Sequence, residues 1–360
     1  MWPSHEIIEL ISPRIPGVCF GQAARSNLGA LAARLPGVFS SYYLECRLSA
    51  IQEQVDFLAC AVVPRDDDSV QQVRAALRPA PRDLACTPAW QFARNAARRW
   101  VGSTFEWSSR VPFLWLEFDH LNTRPVASQT PSLCVCADHE YLNECVPSAP
   151  WDHRSSYEGC LDFVRPATPP EFEGLFSADN RRAMAACFQR LPPGGRIIYV
   201  SFMVAREPAT IKLYGAIPKA HLVSYLDSLG WTGPFDLLQQ VARTFCTPET
   251  ADDTVYFDLS LEREILPHTA ITFSQLQLDR PKGADPRRAA LLRLLEAEGL
   301  CAPDKGEALR NWPGSDREIH PAGSTQARIY RWLDVKITIH AEQGIGAKGY
   351  LGFAPVLSMF

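Results

Sequence analysis

The strongest constraint on this chain is a recurring couple of strand-like segments. Period-2 alternation bounded by turn residues comes in pairs: YYLECRL with VDFLACAVV, FLWLEFD with SLCVCAD, RIIYVSFMVA with TIKLYGAI, TVYFDLSLE with TAITFSQL, and DVKITIHA with GYLGFAPV. Stretches of helical period precede each couple. SNLGALAARL leads the first, SVQQVRAAL and AWQFARNAARRW the second, and RRAMAACFQRL the third. KAHLVSYLDSL and FDLLQQVARTF lead the fourth, and PRRAALLRLLEAEGL with KGEALRNW the fifth. Each carries one apolar stripe, as Leu291, Leu292, Leu294 and Leu295 do. Pro and Gly mark the joins, as in RLPPGGR and NWPGSD. Such a series can form two open sheets in separate α+β domains. It can also close into one antiparallel barrel with the helices outside, which abolishes sheet edges.

The contents of the two strand faces favour closure. Ile198, Val200, Phe202 and Val204 share one face of their segment, and Tyr199, Ser201 and Met203 share the other. The same division sets Leu44, Cys46 and Leu48 against Tyr43, Glu45 and Arg47, and Leu114, Leu116 and Phe118 against Trp115, Glu117 and Asp119. Later strands repeat it, with Lys212 and Tyr214, then Tyr256 and Asp258, then Lys336 and His340, then Lys348 and Tyr350 on the second face. The apolar set must meet the helices, because that burial drives folding. A second face rich in Tyr, Trp, Met and Cys fits a ligand-sized lumen better than a wet open sheet. The expected fold is therefore α+β: a ten-stranded antiparallel β-barrel with a polar lumen, surrounded by helices and spanning residues 1–360 as one domain.

Composition narrows the partners. A formal charge of −4 leaves no basic footprint, so no nucleic acid is expected. No apolar run approaches the roughly 18 to 20 residues of a membrane span, so no membrane partner is expected. MWPSHEIIELISPRIPG lacks the cationic start and apolar core of a signal peptide, and a cytoplasmic protein follows as the expectation. The eleven cysteines are odd in number and scattered through apolar runs, which reads as buried reduced thiols. Cys134, Cys136, His139 and Cys145 are soft ligands at short spacing that could hold zinc. The alternation of Cys134 and Cys136 with Leu133 and Val135, and the lack of a C-x-x-C knuckle, read as a strand, and no metal site is expected. GIGAKG matches G-x-G-x-x-G but lies between two strands, so it reads as a hairpin turn. The sequence has no G-x-S-x-G, Walker loop or H-E-x-x-H.

The inward face carries the chemistry. Lys212, Lys336 and Lys348, with Arg47, put several cations on one cavity, short of counter-charge, and invite phosphate or diphosphate. Tyr199, Tyr214, Tyr256 and Tyr350 offer ring faces that can stabilise a carbocation. Glu117, read as the single carboxylate of the cavity, could take a proton from a nucleophile. The bland alternatives stand beside these. A strand lysine is usually a solvated edge residue, Glu117 serves equally well as the ion-pair partner of a lumen lysine, and His340 reads as a structural histidine.

Cations, aromatic collar and acid together are what transfer of an allylic group from its diphosphate needs. In this respect the chain resembles the ABBA prenyltransferases, the soluble aromatic and peptide prenyltransferases, whose five α-β-β-α units close into a ten-strand barrel. The resemblance implies Glu117 in VPFLWLEFD as acceptor base, and Lys212 with Tyr214 in IKLYGAI and Lys348 with Tyr350 in AKGYLGF as diphosphate and shield pairs. It also implies an isoprenoid diphosphate and an aromatic small molecule or peptide acceptor as partners. TVYFDLSLE departs from the pattern, with Asp258 where a basic residue belongs. No cofactor is required on this reading; Mg2+ could assist without being essential, since RDDDSVQ and ADDTVYFD lack DDxxD spacing. The alternative function is a non-catalytic barrel, or an accessory protein that binds a small molecule or presents a peptide.

Overall fold

All five expected hairpins form, and each pairs with the next. The computed structural model describes residues 3–50, 53–62, 87–102, 111–137, 153–274, 285–319 and 326–357. Its strands are β1 (Ser41–Arg47), β2 (Val55–Val62), β3 (Phe113–Phe118), β4 (Ser132–Cys136), β5 (Arg196–Met203), β6 (Thr210–Pro218), β7 (Thr254–Glu262), β8 (Glu264–Phe273), β9 (Gly314–Ile319), β10 (Gln326–His340) and β11 (Gly344–Leu357). Every pairing is antiparallel, and β11 returns to β1 with Tyr42 opposite Phe353 and Arg47 opposite Lys348. That last pairing closes a ring of ten strands, β1 to β8 with β10 and β11. The ring leaves no edge among its own members.

Two local readings need correction. NWPGSD does not simply join a helix to a strand: β9 begins there and pairs with residues 326–331 of β10, ahead of the stretch 335–340 that pairs with β8. An eleventh strand thus extends the wall along the same side of an unusually long β10. GIGAKG is not the turn either. The turn is residues 341–343, and the glycines belong to β11, where Gly344 has φ +72°. Gly352 is needed for space, since a Cβ there would collide with the indole of Trp332.

The helices form a jacket: α1 (Ser4–Ile11), α2 (Gln22–Ala32), α3 (Pro88–Trp100), α4 (His153–Val164), α5 (Ala178–Gln189), α6 (Leu222–Ser228), α7 (Phe235–Phe245), α8 (Pro286–Ala297) and α9 (Pro303–Arg310). The helix expected over SVQQVRAAL lies outside the described residues. Thr87 caps α3 by accepting from the Trp90 N–H, and Asp285 caps α8 by accepting from that of Arg287; each helix has Pro at its first position. Leu291, Leu292 and Leu295 of α8 are buried, as their stripe requires. The main core lies between jacket and barrel, where Leu44, Phe118, Phe202, Leu213, Leu259, Ile337 and Phe353 are all fully covered. A smaller apolar cluster of Cys60, Phe113 and Cys136, with Val62, Trp115 and Tyr199 packed on it, lies on the inward face. Among the described residues no helix is long and apolar enough to cross a membrane.

Candidate functional site in the barrel lumen

Directly paired residues of antiparallel strands share a face, so the register fixes what the lumen holds. Arg47 lies opposite Lys348, Lys348 opposite Lys336, Glu45 opposite both Tyr350 and Asp56, and Tyr214 opposite both Tyr199 and Asp258. All eight side chains expected to bind diphosphate or shield a cation are on that face, as is Glu117, opposite Leu58 and Ser132.

The aromatic residues form a nearly continuous belt. Ring centroids step from Tyr350 to Tyr43 at 6.2 Å, to Trp115 at 5.6 Å, to Tyr199 at 6.5 Å, to Tyr214 at 5.7 Å and to Tyr256 at 5.7 Å. The gap is bridged by Lys336, whose Nζ lies 5.0 Å from the Tyr350 centroid and 5.8 Å from that of Tyr214. Inside this belt is a chamber of about 120 Å³ that includes Leu58, Cys134 and Glu117 in its lining. Next to it opens a polar chamber of about 800 Å³, lined by Arg47, Lys348, His268 and His340 among others. Lys212, Lys336 and Asp258 line both.

The cations are not bare, and here the sequence reading is corrected. Lys336 Nζ is 2.6 Å and Lys212 Nζ 3.5 Å from Asp258 Oδ2. Lys348 Nζ is 2.6 Å and Arg47 Nη1 3.4 Å from Glu45 Oε1. Each cation has a carboxylate, yet four cations share two, so this arc keeps an excess of positive charge. Burial opposes ionisation of Glu45 and Asp258, but nearby cations outweigh it and hold both carboxyls below their usual range. Burial lowers the ammonium of Lys336, which Asp258 only partly offsets. In Lys212 the same burial is outweighed by Asp258 and Glu117, and its value rises.

Glu117 is not the single carboxylate of the cavity either: Glu45, Asp56, Asp119, Asp258 and Asp334 also face inward, all buried. The ion-pair reading of Glu117 is realised, but with a residue the strand patterns did not single out. Arg206, in the turn between β5 and β6, places Nη2 2.7 Å from Glu117 Oε1 and 2.8 Å from Asp119 Oδ1, and Nε 2.8 Å from Asp119 Oδ2. Burial raises the Glu117 carboxyl despite Lys212 and Arg206, so it holds a proton more readily than a free glutamate. Burial also raises Asp56, which accepts from the His120 N–H at 2.8 Å. The arc opposite the lysines is thus rich in acid.

His340 stacks on His268 at 5.1 Å across β10 and β8, at the wall of the polar chamber. Cys134 and Cys136 sit on β4, buried, and burial pushes the Cys134 thiol up to about 12. His139 and Cys145 lie outside the described residues. Among those described, no group of three His, Cys, Asp or Glu could hold a metal ion.

No protein-family model matches the chain, and no curated protein does. Solved structures do. The chain is similar to the crystal structure of AnaPT from Neosartorya fischeri, with 14% identity over 90% of this chain and 79% of that one, at a TM-score of 0.47. It is also similar to the crystal structure of NotF prenyltransferase, with 9% identity over 99% and 93% of the two chains, at a TM-score of 0.48. Likenesses this loose add nothing to the barrel, which stands on its own strand pairing.

Sequence reasoning missed Arg206, Asp56, Asp334 and Trp332 as lumen residues. Tyr43 and Trp115 were legible as inward-facing by alternation, and their place in the aromatic belt follows from it. Arg206 had no such signal, because a turn residue has no strand period.

Proposed function

We propose that the chain is a prenyltransferase that moves an allylic isoprenoid group from its diphosphate to an aromatic or peptide acceptor. One observation carries this reading: a polar chamber with a surplus of cations opens onto a chamber walled by aromatic rings, and the two share Lys212 and Lys336. A ligand with an anionic head and an apolar tail suits that junction. The diphosphate would lie against Arg47, Lys212, Lys336 and Lys348, and the prenyl chain among Tyr199, Tyr214 and Tyr350, with Tyr256 stacked behind Tyr214. As the allylic C–O bond breaks, the lysines would take up the charge growing on the leaving diphosphate. The ring faces would stabilise the cation and exclude water. The acceptor's electron pair then forms the new bond to carbon, and Glu117 removes the acceptor's proton.

A second reading is favoured by the carboxylates already seated on every lumen lysine. A barrel of this kind could bind a small molecule or peptide without turnover.

Isothermal titration with dimethylallyl and geranyl thiodiphosphate separates the two. The transferase reading expects binding of one of them, little changed by EDTA, and at least about tenfold weaker in Lys212→Ala or Lys348→Ala. Turnover with a panel of indoles, phenols and aromatic peptides then defines the acceptor. Tight peptide binding with no affinity for either diphosphate would overturn the reading in favour of the accessory role.

A further inference from the structure

Two ammonium groups from different strands converge on a single oxygen of Asp258. Lys336 Nζ donates to Oδ2 at 2.6 Å and Lys212 Nζ approaches it at 3.5 Å. The other oxygen, Oδ1, is buried and finds no hydrogen-bond partner among the described residues. Asp258 is 6% exposed and Lys336 also 6%, so this contact is made away from bulk water, where charges act strongly on one another. A phosphate oxygen would make the same pair of charge-assisted contacts. The place between the two lysines is therefore an anion site that already holds an anion. On the neighbouring strands Asp258 lies opposite Tyr214 of β6 and Ala270 of β8, neither of which carries a charge.

We propose that Asp258 is a specificity-determining residue, a built-in competitor that an incoming phosphate must displace from Lys336 and Lys212. The inference rests on the diphosphate reading above. An anion gains at this site only by offering more charge than one carboxylate does. A diphosphate meets that demand, and a singly charged carboxylate ligand does not. Asp258 would thus weaken binding of the diphosphate while excluding lesser anions from the chamber. Its position also leaves Lys336 nearly neutralised in the empty barrel, so Lys336 gives little net attraction until Asp258 lets go.

The test is titration of the full chain with inorganic pyrophosphate and with acetate. Asp258→Asn is expected to bind pyrophosphate about tenfold more tightly, and the gain should shrink as salt is raised. Acetate binding should become measurable only in that variant. Two buried lysines without a carboxylate could prevent folding, so a second pair of proteins carries the same question. Lys336→Met should bind pyrophosphate more weakly than the wild type, because Asp258 then settles on Lys212 alone. Adding Asp258→Asn to Lys336→Met should restore the affinity. Pyrophosphate binding by the wild type that Asp258→Asn leaves unchanged or weakens would overturn the inference alone, as would a double variant no better than Lys336→Met. Absence of pyrophosphate binding in every protein would instead overturn the diphosphate reading, and this inference with it.

Discussion

Replacing Arg206 by alanine tests the electrostatics of the acid-rich arc. Arg206 makes three charge-assisted hydrogen bonds of 2.7 to 2.8 Å to Glu117 and Asp119, which are 7% and 4% exposed. Removing one partner of a buried pair costs about 3 to 5 kcal/mol. The Arg206 side chain is 39% exposed, so water screens part of the interaction. About 2 to 3 kcal/mol is then the expected loss near pH 8. For 360 residues this lowers the melting temperature by about 3 °C. The loss must depend on pH, with a definite sign. Burial raises Glu117, and removing the cation raises it further. Between its ordinary and its raised value the folded chain holds more protons than the unfolded one, so stability falls as pH rises. Below that window Glu117 is protonated in both states and its share of the penalty is gone, while the share from the lost bonds to Asp119 stays. Differential scanning fluorimetry of Arg206→Ala against the wild type should show a deficit at pH 8 that drops by about half at pH 5. A deficit equal at both values would refute the argument, since it would then come from packing or turn geometry and not from uncompensated charge.

Glu117→Gln should keep thiodiphosphate binding while turnover falls by about 10² to 10⁴, the usual range for a lost general base; unchanged turnover in steady-state assays would remove Glu117 from that role. Gly215→Ala should destabilise the barrel by about 1 to 3 kcal/mol in chemical denaturation, because its Cβ would come within 2.7 Å of Phe257 Cζ and 2.8 Å of the Arg196 carbonyl oxygen. Burial lowers His268 to about 4, with His340 adding to the effect. Its folded value lies below the unfolded one, so it contributes stability above pH 6.5 that is lost as pH falls toward 4. His268→Gln should flatten the melting-temperature profile across that window, and an unaltered slope would contradict the shift.

Much of the architecture was legible because alternation is a local property. Each pair of segments announced two strands and the face each residue takes, and all five hairpins follow it. The helices over 235–245 and 286–297 likewise follow their stripes. Where local signals were weak, the reading slipped. β9 was hidden because SDREI is short and polar, and its pairing with β10 is decided by how far β10 runs past the barrel wall. The glycines of GIGAKG resemble a turn in sequence but give room to the strand's neighbours, as at Gly346 beside Thr338.

The sequence by itself determined that lysines and tyrosines face one way and the aliphatic residues the other, since the two-residue strand period requires nothing beyond the chain's own order. Only the tertiary structure decided which acid answers which base. Lys336 meets Asp258 across 78 residues and Arg206 meets Glu117 across 89. Such partnerships depend on the stagger of strands around a closed ring and on where a turn swings its side chain. No segment encodes either locally, and so the balance of charge inside the barrel emerges only once the ring has closed.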